Sequence, residues 1–333
     1  MSVSPTPTLD PVPSRDRTSE GAGLTLPAGM ALGAALDAAF GDPLRFHPVA
    51  GFGTLAARLE RRLYVPSRAA GAGHLLATLA FVAVPAGVAE RIGRGRPVLR
   101  VCSVAAATWM AIGGRSLARA ASTVGDAILR DDLPAGRAAL PSLCGRDPDH
   151  LDGADLARAT VESVAENTSD AVVAPLLWGA VAGIPGLLLY RAVNTLDAMV
   201  GHRSPRYAEF GMPAARLDDV ANWAPARLTA AMAVVLSPLV DGGPAAAARA
   251  WRRDAPAHPS PNAGRVEAAF AGALGVRLGG PLVYPYGAEL RPVLGDGRPV
   301  VPEDVARAVR LSRAVAAAAL VSCLAGRTAW ELR

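Results

Sequence analysis

The sequence contains no lysine, few cysteines and little charge for its length, and each deficit excludes a class of protein. All 34 basic residues are arginine, so the chain offers neither a lysine-containing phosphate-binding loop nor a Schiff-base lysine. The three cysteines (Cys102, Cys144 and Cys323) lie far apart without metal-ligand spacing, which excludes a paired disulfide framework. Of the 333 residues, 19% are charged and 51% are hydrophobic, a balance that points towards the membrane.

The net charge of +5 is modest, and no basic run is interleaved with aromatic residues. This composition suits contact with anionic head groups, phosphates or acidic substrates. It does not have the pattern of a nucleic-acid-binding protein, so we expect no nucleic-acid partner.

The apolar segments predict an all-α fold, a polytopic membrane helical bundle. Residues 69–89 are uncharged and long enough to span a bilayer, and residues 54–68 form a basic amphipathic helix suited to its interface. Shorter apolar runs cover 101–114, 228–240 and 314–326. Residues 1–22, rich in Ser, Thr, Pro and Gly, predict a disordered N-terminal tail, and 23–333 a single membrane-embedded domain.

The stretch 158–229 carries polar residues at helical spacing on both sides of an uncharged run. Residues four apart, or three apart, share one face of a helix. Three such sets occur, each combining carboxylate and guanidinium groups, the second and third with an amide: Arg158, Glu162, Glu166 and Asp170, beside Asn167; Arg191, Asn194 and Asp197; and Arg216, Asp219 and Asn222, beside Asp218.

The uncharged run, 171–190, contains Pro175, Pro185 and several glycines, which is unusual for a plain spanning helix. A straight helix would place the two polar clusters on opposite sides of the membrane. A broken or re-entrant helix near 171–190 would let them meet, provided that protein covers its irregular backbone. The clusters resemble two halves of one site, so we predict the second arrangement.

Clustered carboxylates and amides are suited to phosphate chemistry on a metal ion. Mg²⁺ takes one or two carboxylates together with phosphate oxygens, and arginines bind the remaining phosphate charge. The alternative is a set of salt bridges along helix faces, such as Arg158–Glu162 and Arg216–Asp219. Asp42 and His47, which follow an apolar run, are either functional or part of a turn at 41–43.

Several ordered motifs resemble the CobD/CbiB family of cobalamin-biosynthesis proteins, the adenosylcobinamide-phosphate synthases. They are GDPLRFHPV (41–49), GRD (145–147), ESVAENTSD (162–170), YRAVNTLDAMVGHRSPRYAEFG (190–211), ARLDDVANWAPARLTA (215–230) and SPNAGRVEAAFAGALGVRLGGP (260–281). The resemblance runs from about residue 30 to 300. Two positions depart from the family pattern: Ala171 stands where glycine is usual, and Arg265 where an aromatic residue is common.

The resemblance implies a membrane enzyme that uses ATP and Mg²⁺ to join a propionate carboxylate of adenosylcobyric acid to aminopropanol or its phosphate. A transient acyl phosphate is our hypothesis for activating the carboxylate. The residues expected to act are, for catalysis, Glu162, Glu166, Asp170 and His47; for substrate and phosphate binding, Asn167, Arg191, Asn194, Arg206, Arg216, Asn222 and Asn262; and for the metal, Asp42, Asp197, Asp218 and Asp219.

Two other classes of function stay open from the sequence. One is an Mg²⁺-dependent membrane transferase for a diphosphate-activated substrate, and the other a non-catalytic corrinoid-binding membrane protein. For the enzyme we expect a multi-pass location in the cell membrane, in contact with lipid, and an active site facing the cytoplasm. Its expected partners are the corrinoid, the amino-alcohol (phosphate) and other late membrane enzymes of the pathway.

Overall fold

The computed structural model describes residues 24–43, 48–202, 204–284 and 287–332. The predicted tail, 1–22, and the candidate catalytic residue His47 lie outside these residues.

Helices make up most of the described chain, and the apolar character of their sequences dictates how they pack. Side-chain caps begin some of them: Ser67 accepts a hydrogen bond from the N–H of Ala70, and Asp152 from that of Asp155. The helices are α1 (Thr25–Phe40), α2 (Pro48–Leu63), α3 (Arg68–Gly93), α4 (Pro97–Ala111), α5 (Gly114–Leu129), α6 (Leu133–Ala139), α7 (Gly153–Thr168), α8 (Ala174–Val200), α9 (Met212–Ala221), α10 (Trp223–Leu236), α11 (Pro244–Asp254), α12 (Ala263–Leu274) and α13 (Glu303–Glu331).

Within the described residues, five helical segments are long and apolar enough to cross a membrane: Arg68–Gly93, Pro97–Leu129, Gly153–Val200, Trp223–Val240 and Glu303–Glu331. They confirm the predicted polytopic, helical membrane fold. The short apolar runs at 101–114, 228–240 and 314–326 prove to be parts of longer helical segments, which extend them to spanning length.

The third segment reverses direction, which confirms the predicted re-entrant helix. A π-helical turn (Ser169–Val173) joins α7 to α8, and Gly183, with φ +63° and ψ −144°, breaks α8 in its middle. Asp170 and Asn194 are 24 residues apart, a separation of about 36 Å along a continuous helix. Their side chains nevertheless approach to 3.5 Å between Asn194 Nδ2 and Asp170 Oδ2, so α8 must fold back as a hairpin.

Close backbone contact and one carboxylate hold the hairpin tip. A Cβ on Gly186 would lie 2.0 Å from the carbonyl oxygen of Trp178, so only glycine lets the two arms approach this closely. Glu90 of α3 accepts a hydrogen bond of 3.3 Å from the N–H of Ile184, where the returning arm begins, and pairs with Arg100 at 3.0 Å. Glu90 therefore caps the N-terminus of the returning arm.

A small sheet follows α12 and adds to the predicted all-α architecture. Strand β1 (Val276–Tyr284) pairs antiparallel with β2 (Gly287–Leu294) and parallel with β3 (Arg298–Pro299), in the order β2-β1-β3. The β1–β2 register is irregular between Leu278 and Gly280. The sheet was not predicted from the sequence, because these residues show no clear alternation of apolar and polar side chains.

The main core lies where α7 and α12 pack among the neighbouring helices. Its residues are small or branched, and Val161, Val164, Ala268 and Phe270 are fully buried. A second, smaller core includes Leu196 and Phe210 and joins the returning arm of α8 to the segment that precedes α9. These two cores fix the arms of the hairpin relative to α7 and α9, which carry the polar clusters.

Candidate active site

A polar cavity of about 600 Å³ lies where the end of α7, the π-helical turn, the returning arm of α8 and α9 meet. A turn at 258–263 and strand β2 complete its wall. Its polar lining residues are Glu166, Asp170, Asp197, His202, Asp218, Asp219, Asn222, His258, Ser260, Asn262 and Arg291.

Five carboxylates from the two predicted clusters converge on this cavity: Glu166, Asp170, Asp197, Asp218 and Asp219. Glu166 and Asp170 come from the outgoing side of the hairpin and Asp197 from its returning arm, so the reversal at Gly183 is what brings them together. Such a concentration of negative charge favours a cation or a substrate that arrives with one.

Amide groups link the carboxylates of different helices. Asn194 Nδ2 lies 3.5 Å from Asp170 Oδ2 and 3.4 Å from Asp218 Oδ1, while Asn222 Nδ2 donates to Asp218 Oδ2 at 3.0 Å. The hydroxyl of Tyr190 donates to Asn222 Oδ1 at 2.7 Å. Asn194 and Asn222, which were predicted to bind substrate, thus contact the carboxylates of Asp170 and Asp218.

Burial raises the pKa of Asp218, which lies outside the spanning segments, to about 6. The amides of Asn222 and Asn194 act in the opposite direction, and the negative charges of Asp219 and Glu166 raise it further. A cation that binds beside such a carboxylate stabilises its ionised form.

Hydrogen bonds attach the turn at 258–263 to α9 and to α12, the helix that follows it. Ser260 Oγ accepts hydrogen bonds from the N–H groups of Asn262 and Ala263 at the start of α12, at 3.3 and 3.1 Å. Asn262 Nδ2 donates to the carbonyl oxygen of Asp219 at 2.8 Å. The turn, which contains the candidate binding residue Asn262, therefore lies beside the carboxylates.

A buried ion pair, between Glu162 and Arg146, lies outside the lining of the cavity. Glu162 forms an ion pair with Arg146, the two side chains being 3% and 8% exposed, and accepts a hydrogen bond of 2.6 Å from the N–H of Gly279. Glu162 does not line the cavity. Its contacts attach β1 to α7, a structural role that competes with the catalytic one predicted for it.

The predicted phosphate-binding arginines lie away from the cavity. Arg206 pairs with Glu60 at 2.9 Å and stacks on Tyr64, and Arg216 is exposed. Arg191 lines a different cavity, on another face of α8. Arg191 and Arg216 occur at a spacing of three from the polar residues of their clusters. Residues three apart differ in direction by roughly 60° around the helix, so after two such steps they no longer face the same side.

Asp42 and Asn167 also lie outside the lining of this cavity. The N–H of Asp42 donates to Ser116 Oγ at 3.1 Å, and a Cβ on Gly113 would lie 3.7 Å from Asp42 Oδ2. The amide of Asn167 donates to the carbonyl oxygen and hydroxyl of Ser163, one turn earlier in α7. Neither residue joins the five carboxylates in the described structure.

Three residues of the site escaped the sequence analysis: His258, Glu267 and Arg291. His258 Nε2 lies 3.8 Å from Glu267 Oε1 and 3.5 Å from Arg291 Nη1. Burial, followed by the charges of Glu162 and Glu166, raises the pKa of Glu267 well above its usual range. His258 belongs to the motif HPSPNAG and could have been singled out, whereas nothing in the sequence near Arg291 signals that strand β2 reaches the cavity.

The donor set of the cavity fits Mg²⁺ better than a softer metal. Its carboxylates supply oxygen ligands, and no group of three or more His, Cys, Asp or Glu side chains stands ready to hold a metal within the described ranges. Mg²⁺ does not need such a cage, because it keeps several waters and binds one or two carboxylates together with substrate phosphates. Asp197, Asp218 and Asp219 line the cavity and supply carboxylate oxygens that could hold such an ion.

Comparison with known proteins assigns the chain to a family. A family model described as CobD/Cbib protein matches residues 30–312. Cobalamin biosynthesis protein CobD of Mycobacterium tuberculosis is 55% identical over 298 residues, covering 89% of this chain and 94% of that protein. The proteins of the same name from Chromobacterium violaceum and Geobacter metallireducens are 44% and 43% identical, over 83% and 81% of this chain and 88% and 86% of their own lengths. No solved structure matches this chain.

Proposed function

This chain belongs to the CobD/Cbib protein family, and we propose that it is a membrane ligase of cobalamin biosynthesis. It joins a side-chain carboxylate of adenosylcobyric acid to the amine of aminopropanol or aminopropanol phosphate, with ATP as co-substrate and Mg²⁺. The product is adenosylcobinamide or its phosphate. The observation that carries the proposal is the convergence of five carboxylates on one cavity beside the 258–263 turn.

A carboxylate and an amine do not condense in water without activation, so the proposed reaction has two steps. A carboxylate oxygen of the corrinoid attacks the γ-phosphorus of ATP; an O–P bond forms, the bond to the bridging oxygen breaks, and ADP leaves. The amine nitrogen then attacks the acyl carbon of the acyl phosphate. The C–N bond forms, the C–O bond to the phosphoryl group breaks, and inorganic phosphate leaves as the nitrogen loses a proton.

The cavity residues divide between these tasks by position. Bound Mg²⁺ would neutralise charge on the transferred phosphoryl group, and Asp197, Asp218 and Asp219 would hold it. Arg291, a cation in the cavity wall, is placed to bind phosphate oxygens. The carboxylate of Glu166 lines the cavity without a hydrogen bond to any described residue, so it is available to accept the proton of the amine.

The location follows from the fold and the substrates. Among the described helices, five segments are long and apolar enough to cross a membrane, which supports a location in contact with lipid. ATP is a cytoplasmic substrate, so we propose that the cavity opens to the cytoplasmic side of the cell membrane. Other late membrane enzymes of the pathway are the protein partners that fit this arrangement.

Turnover by the purified protein tests the proposal. The full chain in detergent is mixed with adenosylcobyric acid, aminopropanol phosphate, ATP and Mg²⁺, and the amide product is followed by mass. Replacing a residue that hydrogen-bonds to a metal ligand lowers metal affinity or activity by about 10–100-fold. Asp219→Asn alters a proposed ligand itself, so its turnover should fall by at least about 100-fold. Asp126→Asn, an exposed carboxylate on α5, is the matched control and should retain full turnover.

Two results would contradict the proposal. Corrinoid binding without any ATP consumption would favour the non-catalytic corrinoid-binding protein. Equal turnover by Asp219→Asn and Asp126→Asn would remove the carboxylate cavity from the reaction.

A further inference from the structure

A second cavity, of about 530 Å³, lies among α2, α3, α4 and the returning arm of α8. Its walls are largely apolar, with Phe52 and Leu55 from α2, Phe81 from α3 and Leu188 from α8. The same arm of α8 carries Asp197 to the acidic cavity. The two cavities therefore lie against different faces of one half-helix.

Two arginines, Arg58 of α2 and Arg191 of α8, line this otherwise apolar cavity. Arg191 Nε is buried and has no hydrogen-bond partner. Across the described ranges, neither guanidinium group makes a hydrogen bond or an ion pair; Asp170 is near enough to interact with the charge of Arg191 but accepts no hydrogen bond from it. By contrast, Arg100 pairs with Glu90 and Arg206 with Glu60.

Arg191 Nε is buried in a largely apolar cavity, and a charge taken out of water is costly unless it is paired, so this site favours an anion. Arg58 is exposed and adds a second positive charge to the lining of the same cavity. An apolar path leads away from the cavity along α3. Phe81, Val84 and Val88, at helical spacing, are 61%, 66% and 49% exposed, although all three are hydrophobic. Charge and apolar surface together fit a molecule with an anionic head and a hydrocarbon tail.

We propose that this cavity binds an anionic phospholipid. Its phosphate pairs with Arg58 and Arg191, and an acyl chain lies along Phe81, Val84 and Val88. The α2 helix, basic and amphipathic, runs along the membrane interface where such head groups are found. A bound lipid packs against the returning arm of α8 and so stabilises the helix that carries Asn194 and Asp197. This proposal stands apart from the proposed reaction and does not depend on it.

Lipid retention by the full-length protein tests the proposal without any substrate present. Delipidated protein is titrated with phosphatidylglycerol or phosphatidylcholine, and bound lipid is counted by native mass spectrometry. We expect phosphatidylglycerol to be retained by the wild type more strongly than phosphatidylcholine. Loss of one charge-assisted hydrogen bond to phosphate raises a Kd by about 10–100-fold. Arg191→Gln and Arg58→Gln should therefore each weaken phosphatidylglycerol binding by that factor.

Two further variants separate the site from general effects. Arg61→Gln removes a charge from the same helix outside the cavity lining and should bind phosphatidylglycerol like the wild type. Gly51→Leu keeps both arginines but fills the cavity, since a Cβ at Gly51 meets nothing within 4 Å, and should abolish retention without unfolding α2. A melting temperature measured for each variant shows whether it is folded.

Three results would overturn the proposal. The first is equal weakening by Arg61→Gln and Arg191→Gln, which would indicate diffuse surface charge. The second is undiminished phosphatidylglycerol binding by Gly51→Leu. The third is competition for the site by inorganic phosphate or ATP in the absence of any preference between the two lipids, which would assign the arginines to a soluble phosphate compound.

Discussion

Substituting Gly183 by alanine should destabilise the protein, because the re-entrant hairpin depends on the backbone conformation of this residue. Gly183 has φ +63° and ψ −144°, a region of conformational space that residues with a Cβ rarely adopt. The new Cβ would also lie 2.8 Å from Glu90 Oε2, whose carboxylate caps the returning arm at Ile184. The substitution therefore strains the turn and displaces its cap together.

The two effects set the expected magnitude. A residue held in such a sparsely populated region costs about 1–3 kcal/mol. A hydrogen bond to a charged group contributes about 1.5–3 kcal/mol, of which a part is lost if Glu90 moves. Together they predict a loss of about 2–5 kcal/mol, or a fall of about 4–10 °C in Tm at roughly 2 °C per kcal/mol for a chain of this size.

Thermal unfolding of the purified protein in detergent measures this loss. Gly87→Ala, in α3, is the matched control, because a Cβ there meets nothing within 4 Å and alanine favours helix over glycine. Gly87→Ala should leave the Tm unchanged or slightly higher. Equal Tm values for Gly183→Ala and Gly87→Ala would refute the reversal at Gly183.

Three further substitutions test the polar network. Glu162→Ala removes a buried ion pair with Arg146 and the acceptor for the N–H of Gly279, so thermal unfolding should show a loss of about 3–5 kcal/mol. Tyr190→Phe removes one hydrogen bond to Asn222 and should cost about 0.5–1.5 kcal/mol in the same assay. Burial raises the pKa of Asp218 from 3.8 to about 6, so the stability that its protonated form contributes is present below 3.8 and lost as pH rises through about 6. Asp218→Asn should therefore be more stable than the wild type at about pH 8 in chelator, and the difference should vanish at about pH 4.

Local patterns predicted the helical elements and the hairpin well. The repeat that joins Glu166 to Asp170 depends only on helix geometry, so it placed both residues on the cavity. Pro185 and the glycines of 171–190 indicated the reversal, because a spanning helix has little use for so many breakers. Both patterns depend on residues that lie close together in the sequence and on the helix that they themselves form or interrupt.

Other parts of the site depend on contacts between distant segments, which no local pattern encodes. Arg291 reaches the cavity because β2 pairs with β1, and β1 is attached to α7 by Glu162. The arginine at 191 shares a spacing of three with Asn194, yet the rotation of roughly 60° per step turns it towards the second cavity. Spacing alone therefore grouped residues that the fold separates.

The fate of the carboxylate oxygen tests the central claim most directly. Adenosylcobyric acid labelled with a heavy oxygen isotope in the reacting carboxylate is incubated with the wild-type protein, aminopropanol phosphate, ATP and Mg²⁺. If the carboxylate is activated as an acyl phosphate, one labelled oxygen appears in the inorganic phosphate for each amide formed. Amide formation with unlabelled phosphate would contradict the account.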